Sequence, residues 1–145
     1  MAETAVISVR LPVERVARIE REAKRLGRKV SQVAADFIEE GVRRREHPQV
    51  EIRETAAGRV AYVKGTRFTV QWVADTWAEG TTAETFAKAY ALCNDQVRAA
   101  LAYATAFAEE IANQREIERD SEAVLQRLEA AWQQAREMSR KKLRP

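Results

Sequence analysis

Apolar positions along the chain change their spacing from segment to segment. Over Val6–Leu11, Ile7, Val9 and Leu11 fall on one face of an extended segment and Val6, Ser8 and Arg10 on the other, which predicts a strand. Pro12 ends it and suits the first turn of a helix. Val13, Val16, Ile19, Ala23 and Leu26 then recur at helical spacing, and Gly27 follows as a C-cap. Arg28-Lys29-Val30-Ser31 reads as a short turn. A second helix follows to about Arg45, with Val33, Ala34, Phe37, Ile38 and Val42 as its stripe, and His47-Pro48 closes the unit.

Beyond Pro48, Val50-Glu51-Ile52-Arg53 and Val60-Ala61-Tyr62-Val63 alternate like strands, with Ala57-Gly58 as the hairpin turn between them. Lys64-Gly65-Thr66-Arg67 is a turn. A helix from about Val70 to Ala78 carries Val70, Trp72, Val73 and Trp77 and stops at Gly80. Thr81-Thr82-Ala83-Glu84 reads as a capping box for a helix holding Phe86, Ala87 and Tyr90. Asn94-Asp95 caps a further helix with Val97, Leu101, Ala104, Phe107 and Ala108 inside. A hairpin plus three short helices is a winged-helix-like order.

In the last 33 residues, Ile117, Val124, Leu128, Ala131, Ala135 and Met138 recur at spacings close to a heptad, with Leu125 and Trp132 beside them. Asp120-Ser121-Glu122 reads as a bend and a fresh helix start. Arg140, Lys141, Lys142 and Arg144 make a basic end. A narrow apolar stripe on a charged helix needs a partner surface. Three remain open: the middle module, a second copy, or another protein's groove.

The fold class is therefore mainly α with short β, in three parts: 1–47, 48–112 and 113–145. A strand-helix-helix of this size cannot bury a core alone, and a lone strand leaves both edges open. Two copies solve both problems by pairing their strands antiparallel and interlocking four helices. Such a ribbon has one apolar face over the helices and one polar face outward, and it fits the major groove of DNA.

The first part resembles the ribbon-helix-helix family of Arc-, MetJ- and CopG-like repressors. The residues carrying this resemblance are Ile7-Ser8-Val9-Arg10-Leu11-Pro12, Leu26-Gly27, Ser31 and the Val33/Phe37/Ile38 stripe. It implies that Val6, Ser8 and Arg10 face base edges, and that Arg28, Lys29 and Ser31 meet phosphate at the second helix's N-terminus. It also implies that Ile7, Val9, Leu11, Val33, Phe37 and Ile38 hold a dimer together. Val6 departs from the polar residue common at its slot, and Lys29 stands where that family often has a Ser or Thr cap.

The middle part resembles the family called domain of unknown function 433. The resemblance lies in Lys64-Gly65-Thr66-Arg67-Phe68-Thr69-Val70, Gly80-Thr81-Thr82-Ala83-Glu84, and Asn94-Asp95-Gln96-Val97 with Ala99–Ala104. Ala91 and Cys93 depart from the Pro and Leu common at those positions, and Cys93 is expected as a small core residue. Thr66 and Arg67 suggest either a phosphate or nucleic-acid contact or a structural role; the structural one is expected, Arg67 tying loop carbonyls with its five donors.

Composition narrows the chemistry. The 145 residues contain one Cys and one His, so neither an internal disulfide nor a zinc site can form. Asp36, Asp75, Asp95 and Asp120 are scattered rather than gathered for a metal. These counts argue against an enzyme and for a cytoplasmic protein without cofactor. No apolar run is long enough to span a membrane, and the N-terminus carries no signal segment. The net charge of +3 is uneven: residues 1–48 hold 11 basic against 8 acidic side chains, residues 49–112 hold 6 against 8, and residues 113–145 hold 8 against 6. Both ends are basic, which suits an anionic partner.

Together the two resemblances imply a VapB-like type II antitoxin. It binds operator DNA as a homodimer or higher even oligomer, represses its own operon and occludes a PIN-like ribonuclease toxin. The toxin contact is expected on the last helix, at Val124, Leu128, Trp132, Met138 and Arg140. The alternative is a stand-alone regulator of the same fold with no toxin.

Overall fold

The computed structural model describes residues 3–142, and the chain divides between Glu46 and His47 into two compact units. Arg144 of the basic end lies outside the described residues.

In the first unit, α1 spans Val13–Leu26 and α2 spans Val30–Glu46. Gly27 ends α1 in the left-handed region at φ 63°, where only glycine carries no Cβ penalty. Arg28 N–H then reaches back to Ala23 carbonyl at 3.0 Å and Gly27 N–H to Lys24 carbonyl at 3.3 Å. The turn is shorter than expected. Lys29 carbonyl already accepts from Gln32 and Val33 N–H, both at 3.1 Å, so Val30 and Ser31 belong to the first turn of α2. Residues 3–11 carry no strand in the single chain, because a strand exists only by hydrogen bonding to a neighbour. Among the described residues of this unit only Ala23 and Val33 are buried apolar side chains.

The second unit opens with β1 (Val50–Thr55) and β2 (Gly58–Val63), antiparallel, with Val50 opposite Val63 and Thr55 opposite Gly58. The connection is Ala56-Ala57, one residue earlier than the sequence pattern indicates. Thr55 Oγ fastens it, accepting from Ala57 N–H at 3.2 Å and donating to Gly58 carbonyl at 2.8 Å. β2 then passes into α3 (Val70–Ala78) through a tight loop, in which Val63 N–H donates to Phe68 carbonyl at 2.9 Å. Thr69 caps α3 by accepting from Trp72 N–H at 3.0 Å.

α4 covers Ala83–Tyr90 and α5 covers Asn94–Ala106. The expected capping box at Thr81–Glu84 does not form. Thr82 is the cap, accepting from Thr85 N–H at 3.2 Å, and Glu84 pairs one turn on with Lys88 at 2.7 Å. Asn94-Asp95 is likewise displaced by one residue. Cys93 occupies the cap position, and its N–H donates to Gln96 Oε1 at 2.9 Å. Cys93 is therefore exposed rather than in the core, and Leu92 is the buried residue. The cause lies at Ala91, whose φ of 55° turns the chain so that Leu92 N–H reaches Phe86 carbonyl at 3.1 Å and its side chain points inward. That positive φ is closed to the proline common there in the resembled family.

The core of this unit joins Ala61 and Val63 of the hairpin to Val70 and Val73 of α3, Phe86 of α4, and Val97, Ala100 and Tyr103 of α5. His47 sets its ring edge against Tyr103 at 5.2 Å and Phe107 at 5.8 Å. Phe107, at φ −121° and ψ 46°, breaks the chain between α5 and α6 (Ala108–Lys142), so Ala108 is not on α5 as expected. α6 is one continuous helix. The expected bend at Asp120–Glu122 is absent, since Ser121 hydroxyl donates to Ile117 carbonyl at 2.9 Å and is satisfied inside the helix.

Candidate functional site

Three surfaces carry chemistry. The first is the open face of the N-terminal unit. Although residues 3–11 form no ladder, their alternation persists in what they touch. Ile7, Val9 and Leu11 line a groove of about 720 Å³ together with Ile19, Phe37 and Ile38, whereas Val6, Ser8 and Arg10 lie outside its lining. Ile7, Val9, Leu11, Phe37 and Ile38 remain 40–77 % exposed. Val33 differs from them: it is buried in the single chain and so is not part of the open face. Ser31 borders the groove.

Val6, Ser8 and Arg10 are all exposed, as is Lys29. Arg28 is exposed as well, but it is paired with Asp36 on α2 at 2.5 Å, so part of its charge is already answered within the unit. The second helix's N-terminal turn thus offers Lys29 rather than Arg28 as its unanswered cation. The pairing follows from α2 beginning early, which brings Asp36 within reach of the turn; a helix start placed after Ser31 hides it.

The second surface is the loop that joins β2 to α3. Thr66 is structural: its hydroxyl donates to Val63 carbonyl at 2.8 Å and accepts from Phe68 N–H at 3.1 Å. Arg67 lies with its guanidinium 5.2 Å from the Phe68 ring centroid, so its role is stacking rather than the expected tying of carbonyls. The tie comes from Glu51, which accepts from Gly65 N–H at 3.2 Å and from Arg53 Nε at 2.9 Å. The Arg53 guanidinium first, and then the Gly65 N–H, hold the Glu51 carboxyl below its ordinary value of 4.5. Phe68 stacks on Trp72 at 4.5 Å, and Tyr90 stands edge-on to Trp72 at 4.8 Å. These rings wall a groove whose acidic members are Asp75, Glu79 and Glu118.

The third surface is α6. Its first turns are held down: Ile111 is buried, Arg115 Nε donates to Asp75 at 2.7 Å, and Gln71 Nε2 donates to Glu118 at 2.8 Å. This link between α3 and α6 has no signature in sequence, because its partners are 40 and 47 residues apart. From residue 116 to residue 142 every position is exposed. Val124, Leu128, Trp132, Met138 and Arg140 all sit on this free stretch, with Trp132 at 69 %. Packing of the stripe back onto the middle module, one of the three options open in the sequence, is therefore not what the fold adopts.

Among the described residues no three His, Cys, Asp or Glu side chains gather where a metal ion could be held, and no helix is long and apolar enough to cross a membrane. Residues 50–104 match the family described as DUF433, protein of unknown function. That span runs from the first residue of β1 through most of α5, so the hairpin, α3, α4 and α5 form a DUF433 module. No curated protein matches the chain. No solved structure matches it either.

Proposed function

We propose that the chain is a DNA-binding regulator of ribbon-helix-helix type that acts as a homodimer. The observation that carries this reading is the open apolar face of the N-terminal unit. Odd-numbered Ile7, Val9 and Leu11 line the groove with Phe37 and Ile38, and even-numbered Ser8 and Arg10 do not. An apolar side chain moved fully out of water contributes about 1.5–3 kcal/mol, so a second copy covering this face has ample driving force. Pairing the two N-terminal segments supplies the hydrogen bonds that a lone segment lacks and turns Val6, Ser8 and Arg10 of both copies outward as one ribbon. In a major groove, Arg10 reads guanine with paired donors and Ser8 reads either base type. Lys29 at the start of α2 meets phosphate and fixes the register.

The test is operator binding by fluorescence anisotropy, using the DNA upstream of the gene itself. Arg10→Ala should lose about 1–3 kcal/mol of affinity and flatten base preference at one position of each half-site. Unchanged affinity and unchanged preference would remove the N-terminal segment as the reader.

The free helix favours a second layer of function: a VapB-like antitoxin that neutralises a PIN-like ribonuclease. α6 presents Val124, Leu128 and Trp132 to solvent and ends in Arg140, Lys141 and Lys142, a pairing of apolar anchor and cations suited to a carboxylate-lined active site. The winged-helix-like module over residues 49–112 would then serve as a mount for this helix and for protein contacts, its 6 basic against 8 acidic side chains being unfavourable for DNA. Removing residues 121–145 should abolish neutralisation of the co-expressed toxin while operator binding persists. A truncated chain that still protects cells would move the toxin contact elsewhere.

A further inference from the structure

The continuity of α6 through Ser121 gives its stripe a single register. Ile117, Ser121, Val124, Leu128, Ala131, Ala135 and Met138 follow one another at alternating steps of four and three residues, the spacing of coiled-coil core positions. Leu125 and Trp132 flank this seam on one side, and Asp120 and Lys141 on the other. The exposed stretch, residues 116–142, is about 40 Å long at 1.5 Å per residue.

Its charge is divided. Residues 116–129 hold five acidic and two basic side chains, and residues 130–142 hold one acidic and four basic. A helix whose halves carry opposite net charge is complementary to a copy of itself running the other way. Two parallel copies would instead set acid against acid and base against base.

We propose that this face pairs with α6 of a second copy, antiparallel, with Leu128 opposite the partner's Ala131. In that register Val124 meets the partner's Ala135 and Ser121 meets the partner's Met138. Every one of these layers sets a large side chain against a small one, the arrangement that fills a seam without overlap. Leu125 falls beside the partner's Trp132 and widens the apolar contact. Asp120 falls beside the partner's Lys141. A parallel pair would crowd Leu128 against its equivalent and leave Ala131 facing Ala131 across a gap. The proposal stands apart from both readings above; a toxin that takes the stripe has to part this pair first.

The experiment is disulfide trapping in the full chain with Cys93→Ser, which removes the exposed native thiol. Two variants, Val124→Cys and Ala135→Cys, are prepared separately, checked for an unaltered helical circular dichroism signal, left to exchange as a mixture and oxidised mildly. Both positions are exposed, so neither substitution disturbs a core. The mixture should give a cross-linked dimer. Each variant alone should not, because its two sulfurs lie about 16 Å apart along the antiparallel axis, beyond the Cα reach of about 7 Å for a disulfide. Cross-linking of Val124→Cys by itself would show a parallel pair and overturn the register. An absence of cross-links in all three samples would show that no second copy covers the stripe.

Discussion

Phe86→Ala tests the independence of the two units as well as the core of the second. Phe86 is wholly buried, and its ring centroid lies 6.1 Å from those of Trp72 and Tyr90 and 6.4 Å from that of Trp77. Truncating a buried Phe costs about 3–5 kcal/mol through lost transfer energy and the cavity left behind. Three aromatic neighbours lose their ring contacts too, which places the cost toward the upper end. For a unit of this size, near 100 residues, that lowers the midpoint by about 12–40 °C. Tryptophan emission reads the transition, because Trp72 and Trp77 both contact the substituted ring, and Trp132→Phe in both proteins removes the third emitter. Phe86→Leu keeps most of the volume and should fall between wild type and alanine. Operator affinity should stay at the wild-type value below the new midpoint, since the reader belongs to the other unit. A cost under about 1 kcal/mol would refute the packing argument. Operator affinity falling in step with the emission change would refute the independence of the units.

Three further outcomes are expected. Val9→Pro removes an N–H that a paired N-terminal segment needs; specific operator binding should collapse to the non-specific level with little change in helical signal, and intact operator binding would show that the segment is not paired. Lys29→Ala should weaken all DNA about equally and reduce the slope of log affinity against log salt by about one, whereas a loss confined to one sequence would make Lys29 a base contact. Glu51 titrates below its ordinary value because Arg53 and the Gly65 N–H favour its charged form, so its contribution to stability is present above that value and is lost as pH falls through the lower folded one. Thermal midpoints between about pH 5 and about pH 3 should therefore drop less steeply in Glu51→Gln than in wild type, and parallel curves would remove Glu51 as the loop's anchor.

The local elements were legible in the sequence because short-range chemistry decides them. α1 and α3 run from Val13 to Leu26 and from Val70 to Ala78 as the spacing of their apolar residues indicates, and Gly27 ends α1 through a backbone angle that glycine alone adopts freely. The hairpin and the loop after β2, both within the span that matches DUF433, could be read for the same reason. Caps slipped by one residue at Thr81-Thr82, where two like hydroxyls stand side by side, and at Cys93, whose N–H is taken by Gln96 Oε1 so that α5 already starts at Asn94. Cys93, expected in the core, is exposed, with Leu92 buried beside it, for a cause outside pattern: Ala91 takes a left-handed angle that no alanine advertises. The hold of α3 on α6 through Gln71, Asp75, Arg115 and Glu118 belongs to tertiary structure alone, since ion pairs and hydrogen bonds across 40 or more residues leave no period in a sequence. So does the fate of the C-terminal stripe. Its apolar spacing announced that a partner is needed, but only the packed module, with a core closed at Ile111 and a hold on α6 that reaches Glu118, decided that the partner is not the chain's own body.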